Sequence, residues 1–318
     1  MADINVDKAK QERHDRLIEQ MRRILGSEIC AVFDDPKAVE IMLNDDGKVL
    51  VERHGSGITE LTMLPTSKTL NFLSLMADYR GTTVSRERPI VEGAMPDEFR
   101  RARFAGAIPP LMPQPTFSIR LPATSVYTLE DYRDSEILLP DQYNRIIEAV
   151  ESRKNILVSG GTGSGKTTLL NAVSDYISRI SGLDQRIIII EDTKEIQCNA
   201  PNTVQMLTDP DTNIDMTRLL KLTMRYRPDR IFVGEVRDGA AMALLKAWNT
   251  GTPGGLATLH ANSAPEALIR LDQLCQETGV PSQLPLIKMA VGVVIQITRD
   301  TTHPAGRRVS EILFLDED

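Results

Sequence analysis

The chain has 318 residues, 41% of them apolar and 25% charged, with 37 basic against 44 acidic side chains and a net charge of −7. Length and composition fit a globular protein with room for two compact domains, and no repeat or low-complexity segment interrupts them. The acidic balance argues against a broad nucleic-acid-binding face, and no stretch approaches the roughly 18 uninterrupted apolar residues of a membrane span.

Residues 8 to about 26 place Leu17, Ile18, Met21, Ile24 and Leu25 at helical spacing and read as an amphipathic helix. Its basic residues Lys8, Lys10, Arg13, Arg16, Arg22 and Arg23 would suit contact with a membrane surface, but Asp7, Glu12, Asp15 and Glu19 dilute their charge, and a solvated surface helix is the plainer reading. Two short strands, 39–43 and 49–52, flank an Asn44-Asp45-Asp46-Gly47 turn and predict a hairpin. A helix follows over 67–80 with Ser67 as its N-cap, then a strand at 116–121. Residues 1–121 therefore read as an α+β N-terminal domain, and the polar stretch 122–138 as a linker.

From 139 to 318 the pattern changes. A helix at 143–152 is followed by alternating strands (156–159, 187–190, 231–233, 255–258) and helices (217–225, 240–248, 265–274), then by strands at 291–298 and 308–315. That alternation predicts an α/β domain with a mostly parallel sheet flanked by helices, its last strands antiparallel.

The apolar run 156–159 breaks into Gly160-Gly161-Thr162-Gly163-Ser164-Gly165-Lys166-Thr167-Thr168, which is G-x-x-x-x-G-K-[ST] between a strand and a helix. Glycines let successive backbone N–H groups curl around phosphate oxygens, and the helix N-terminus adds its positive end. Lys166, expected to face solvent in the empty loop, would reach the β- and γ-phosphates, and the Thr167 hydroxyl would ligate Mg²⁺. ATP and Mg²⁺ are the implied cofactors.

Phosphoryl transfer also needs a carboxylate to orient water and positive charge for the transition state. Two strands end abruptly in acid: Ile187 to Ile190 before Glu191 and Asp192, and Ile231 to Val233 before Gly234 and Glu235. Glu235 is expected to orient the water, although Gly234 stands where an aspartate metal ligand is common. Glu191 and Asp192 would support it. His260, at the end of a third strand, is expected to sense the γ-phosphate. Arg237 either serves a neighbouring site or pairs with Asp238. The cysteines Cys30, Cys198 and Cys275 show no C-x-x-C spacing, so no zinc ribbon is present and a reducing compartment is expected. The histidines His14, His54, His260 and His303 are too scattered to suggest a metal site, and the N-terminus lacks the pattern of a secretion signal.

The segments 160–168, 189–195, 233–238 and 258–264 resemble, in order and spacing, the Walker A, Asp-box, Walker B and His-box of secretion-type ATPases, in which Gly-Glu at 234–235 is the normal form. Segments 40–44, 88–90, 103–110 and 118–120 resemble the type IV secretion branch of that family, including its conjugal-transfer members. The resemblance implies a RecA-like P-loop domain beneath a smaller N-terminal domain that closes over nucleotide, with Arg103 and Arg120 supplying positive charge to the phosphates. It implies a hexameric ring in the cytoplasm, peripherally attached to inner-membrane components of a conjugative secretion system, with no sequence-specific nucleic-acid binding. A nucleic-acid translocase on the same core is the alternative, weakened by the acidic charge and a single tryptophan. A small-molecule kinase fits less well, since no segment reads as an acceptor pocket.

Overall fold

A computed structural model describes residues 2–53, 56–122, 127–209 and 212–316, with side chains from residue 11 onward. The chain forms two compact units, Met1–Ser125 and Val126–Asp318.

The first unit runs α1 (Ala2–Val32), β1 (Ala38–Leu43), β2 (Lys48–Arg53), β3 (Gly57–Met63), α2 (Thr66–Tyr79), β4 (Ile90–Ala94), β5 (Arg103–Ala107) and β6 (Thr116–Arg120). Its strands form one antiparallel sheet in the order β3-β2-β1-β6-β5-β4. The two-residue period of the strands sends Ile41, Leu43, Val49, Val51, Phe104, Phe117 and Ile119 into one core. Met21, Leu25 and Ile29 of α1 and Phe72, Leu73 and Met76 of α2 complete it. The Phe72, Phe104 and Phe117 rings meet there at centroid distances of 5.4 to 6.0 Å.

The first helix is longer than the sequence suggests and is broken at Gly26, whose φ of 80° only glycine adopts at little cost. Ser67 does not cap α2. The N-cap position belongs to Pro65, which offers no side-chain acceptor, and Ser67 lies inside the first turn.

The second unit continues with α3 (Leu129–Asp134), α4 (Pro140–Glu151), β7 (Ile156–Ser159), α5 (Lys166–Ile180), β8 (Ile187–Glu191) and β9 (Thr203–Leu207). It closes with α6 (Met216–Thr223), β10 (Arg230–Val233), α7 (Ala240–Trp248), β11 (Leu256–Leu259), α8 (Ala264–Gln276), α9 (Leu284–Ala290), β12 (Val293–Arg299) and β13 (Arg307–Phe314). The sheet order is β13-β12-β7-β11-β10-β8-β9, parallel throughout except for β13, which runs antiparallel to β12. The expected α/β architecture is therefore present.

Both faces of this sheet are covered. Ile188, Ile190, Ile231, Val233, Ala257 and Leu259 pack with Leu220, Leu244, Leu271 and Ile287 on one side. Ile187, Ile189, Phe232, Val158 and Ile295 pack with Ile146, Leu170 and Val173 on the other. This double burial explains why the strands read as continuous apolar runs. Each fully buried isoleucine contributes about 1.5–3 kcal/mol of transfer free energy.

The stretch read as a linker holds a helix. Thr128 Oγ1 accepts the Asp131 N–H at 3.1 Å while the Asp131 carboxylate accepts the Thr128 N–H at 2.8 Å. This capping box starts α3, and Leu129, Tyr132 and Leu138 are buried in the core of the second unit. Residues 123–126 of that stretch lie outside the described residues.

Candidate active site

Strands β7, β11, β10 and β8 are neighbours in that order and point the same way. Their carboxyl ends thus lie side by side on one edge, where a parallel sheet builds its site. Each strand delivers one element: the glycine loop after β7, His260 after β11, Gly234 and Glu235 after β10, and Glu191 with Asp192 at the end of β8. Residues separated by a hundred positions in sequence are brought together by this order.

The loop needs its glycines for distinct reasons. Gly163 and Gly165 sit at φ 67° and 101°, a region costly for other residues. A Cβ on Gly160 would fall 2.3 Å from the Ile297 carbonyl oxygen and 2.5 Å from Ser164 Oγ. Lys166 opens α5 and is 8% exposed, contrary to the expectation of a solvent-facing side chain. Its Nζ donates to the Gly161 carbonyl at 3.0 Å and approaches His260 Nδ1 at 3.2 Å. The ammonium is thereby folded under the loop. Thr167 follows on the first turn, half-buried.

His260 joins the loop to the acid. Its Nε2 lies 2.9 Å from Glu235 Oε1, so the Nε2–H tautomer donates to Glu235 while Nδ1 accepts from Lys166. The other Glu235 oxygen is held by Arg237, which also stands 3.6 Å from Asp192. Arg237 therefore pairs with Glu235 and Asp192 rather than with Asp238. Partial burial works to raise the Glu235 pKa, but the Arg237 hydrogen bond and the charges of Arg237, His260 and Lys166 outweigh it. The carboxyl is held below its ordinary range. An ionised Glu235 can accept a hydrogen bond from water at neutral pH.

Glu191 is built differently. It is 1% exposed. One oxygen accepts the Glu195 and Ile196 N–H groups at 2.9 and 2.7 Å, and the other accepts from the Gln205 amide at 2.6 Å. A Cβ on Gly234 would come 3.1 Å from Glu191 Cγ, so the Gly-Glu pair leaves room for this buried carboxyl. Burial pushes the Glu191 pKa from 4.5 up to about 7, against the pull of its hydrogen bonds.

Between those two values the folded state holds a proton that the unfolded state has lost. Glu191 thus supports the fold at low pH and progressively less as pH rises through 7, a difference of about 3 kcal/mol. Glu191→Gln is expected to remove that slope. Urea unfolding from pH 5 to pH 8 tests this: an unchanged slope in the variant would clear Glu191 of the effect.

Arg103 and Arg120 lie in the first unit, where the β5–β6 register sets them directly opposite one another. Glu40 is opposite Arg120 on the other flank. Among the described residues neither arginine has an ion-pair partner, whereas Arg101 is paired with Asp97 and Arg100 donates to the Phe33 and Pro122 carbonyls. Like charges set opposite in a ladder cost stability unless an anion meets them. Also unforeseen from the sequence were Gln205 and two arginines, Arg299 and Arg307, at the phosphate loop.

Residues 84–312 match the family model described as type II/IV secretion system protein. The chain belongs to that family. Among relatives of this secretion-protein family, a probable conjugal transfer protein TrbB of Sinorhizobium fredii is 45% identical over 95% of this chain and 91% of its own length. The VirB11 type IV secretion system protein of Bartonella henselae is 30% identical over 85% of this chain and 87% of its own. Among solved structures, the VirB11 ATPase of the Brucella suis type IV secretion system, in complex with sulphate, is 25% identical, with a TM-score of 0.50 over 95% of this chain and 97% of that one. The pilus retraction motor PilT with bound ADP shares the fold, with a TM-score of 0.65 and 22% identity over 91% of this chain and 83% of that one.

Proposed function

We propose that this chain is an ATP-hydrolysing motor of a conjugative type IV secretion system. The observation that carries this reading is the linked set Lys166, His260 and Glu235 on adjacent strand ends beside the glycine loop, in a member of a secretion-protein family. The loop amides and Lys166 would take the β- and γ-phosphates, Glu235 would orient the attacking water, and His260 would report the γ-phosphate to both. Glu191 acts on the turn at 192–196 as a positioning residue.

Mg²⁺ fits the donors present. Among the described residues the Thr167 hydroxyl makes no hydrogen bond, not even back to its own helix, so it is available as a hard oxygen ligand. Gly234 supplies no carboxylate, and Mg²⁺ readily keeps several waters. The ion would neutralise phosphate charge.

Arg103 and Arg120 would bring their unpaired charges to the phosphates when the N-terminal unit closes, α3 and the residues up to Leu138 moving as part of the second unit. Six subunits in a ring, in the cytoplasm and docked on inner-membrane secretion components, complete the proposal. Among the described residues no helix is long and apolar enough to cross a membrane.

ATP turnover measured against protein concentration, with mass determined in the same samples, tests the motor. Specific activity should rise as a hexamer-sized species forms. Full activity in a monomer would sink the ring, and DNA-stimulated turnover with a steep salt dependence would favour a translocase instead.

A further inference from the structure

Arg299 closes β12, Arg307 opens β13, and the antiparallel register sets the two directly opposite each other. Both press on the phosphate loop. Arg299 Nε donates to the Gly163 carbonyl at 3.1 Å, and a Cβ on Gly163 would fall 2.1 Å from an Arg299 terminal nitrogen. A Cβ on Gly165 would fall 2.4 Å from a terminal nitrogen of Arg307. Each guanidinium therefore fills the space that a side chain on a loop residue would take.

Two facing cations are an expensive way to brace a loop. Among the described residues neither has an ion-pair partner. The neighbouring acid, Asp300, is engaged by Arg308 at 3.0 Å and by the Thr302 N–H at 2.9 Å. The half-buried Arg307 and the exposed Arg299 thus add two uncompensated charges beside a cradle that already holds Lys166.

We propose that Arg299 and Arg307 form a cationic flank of the phosphate loop that selects nucleoside triphosphate over diphosphate by charge. This rests on the loop's being the nucleotide cradle. The γ-phosphate adds negative charge, and the flank attracts it. Such an attraction in a partly wet site is worth about threefold to tenfold in affinity. The selection acts on phosphate charge, not on the base.

The test is equilibrium binding of ATP, ADP and inorganic tripolyphosphate to the full chain carrying Arg299→Gln, Arg307→Gln or both, with Arg299→Lys, Arg307→Lys and Lys166→Ala in parallel. The double glutamine variant should lose about threefold to tenfold more affinity for ATP than for ADP, with tripolyphosphate following ATP. The lysine variants should keep the wild-type ATP-to-ADP ratio although Arg299→Lys lacks the Nε donor to Gly163. Equal losses for ATP and ADP would reduce the pair to a brace and overturn the proposal. Should a glutamine variant fail to fold, the lysine variants decide, since a collapsed ratio there also overturns it. Undiminished ATP binding by Lys166→Ala would instead remove the cradle reading itself.

Discussion

Lys166→Ala is expected to lower ATP turnover by about a hundredfold to a thousandfold, the scale of removing one preorganised donor to developing phosphate charge. The fold should survive. The side chain lies at the start of α5 and its ammonium donates to the Gly161 carbonyl and the His260 ring, local contacts worth about 1.5–3 kcal/mol each. Because Nζ is folded under the loop, bound phosphate must draw it away from His260, and the variant should also release His260 toward Glu235. Steady-state turnover beside a thermal melt separates the two effects. A variant that melts normally and keeps a tenth of wild-type activity would remove Lys166 from the chemistry.

Glu235→Gln should bind ATP at least as tightly as the wild type and hydrolyse it about 10²- to 10⁴-fold more slowly, the usual worth of a positioned base. The amide keeps the shape of the side chain, but it loses the charge that Arg237 holds and that His260 meets at 2.9 Å. Arg237 can still donate to the amide oxygen but loses the neutralising carboxylate, keeping Asp192 at 3.6 Å as its ion-pair partner, which leaves more positive charge facing a bound triphosphate. Single-turnover hydrolysis with ATP binding measured alongside is the check. Normal single-turnover rates would take Glu235 out of the water-orienting role.

The nucleotide half of the molecule was readable because its signals are local. Buried parallel strands are uninterrupted apolar runs, as in Ile187 to Ile190, and the glycine loop carries its reason in its own spacing. The N-terminal sheet was half hidden. Strand β3 is exposed along most of its length, and β4 and β5 carry Gly93 and Gly106, so neither shows clean alternation. Helix α3 was missed because its polar residues outnumber Leu129 and Tyr132, which alone reach the core.

Within the site, residue types were legible but connections were not. That Arg237 would clasp Glu235, that Lys166 would be buried, and that Arg299 and Arg307 would reach the loop depend on which strands become neighbours. No short-range pattern reports that order. Glu191 illustrates the same limit: an acid at a strand end looks like a water-chain group, and only the backbone N–H groups of Glu195 and Ile196 reveal it as an anchor.

The place of β7 in its sheet bears on how this protein is born. The strand that carries the phosphate loop pairs with β11 and β12, both made long after it, while β8, the next strand synthesised, lies three positions away, beyond β11 and β10. Contacts of such sequence separation form slowly. On the ribosome Ile156 to Ser159 waits with two open edges until residues 256–259 and 293–299 emerge, so the nascent ATPase half is vulnerable to aggregation for most of its synthesis.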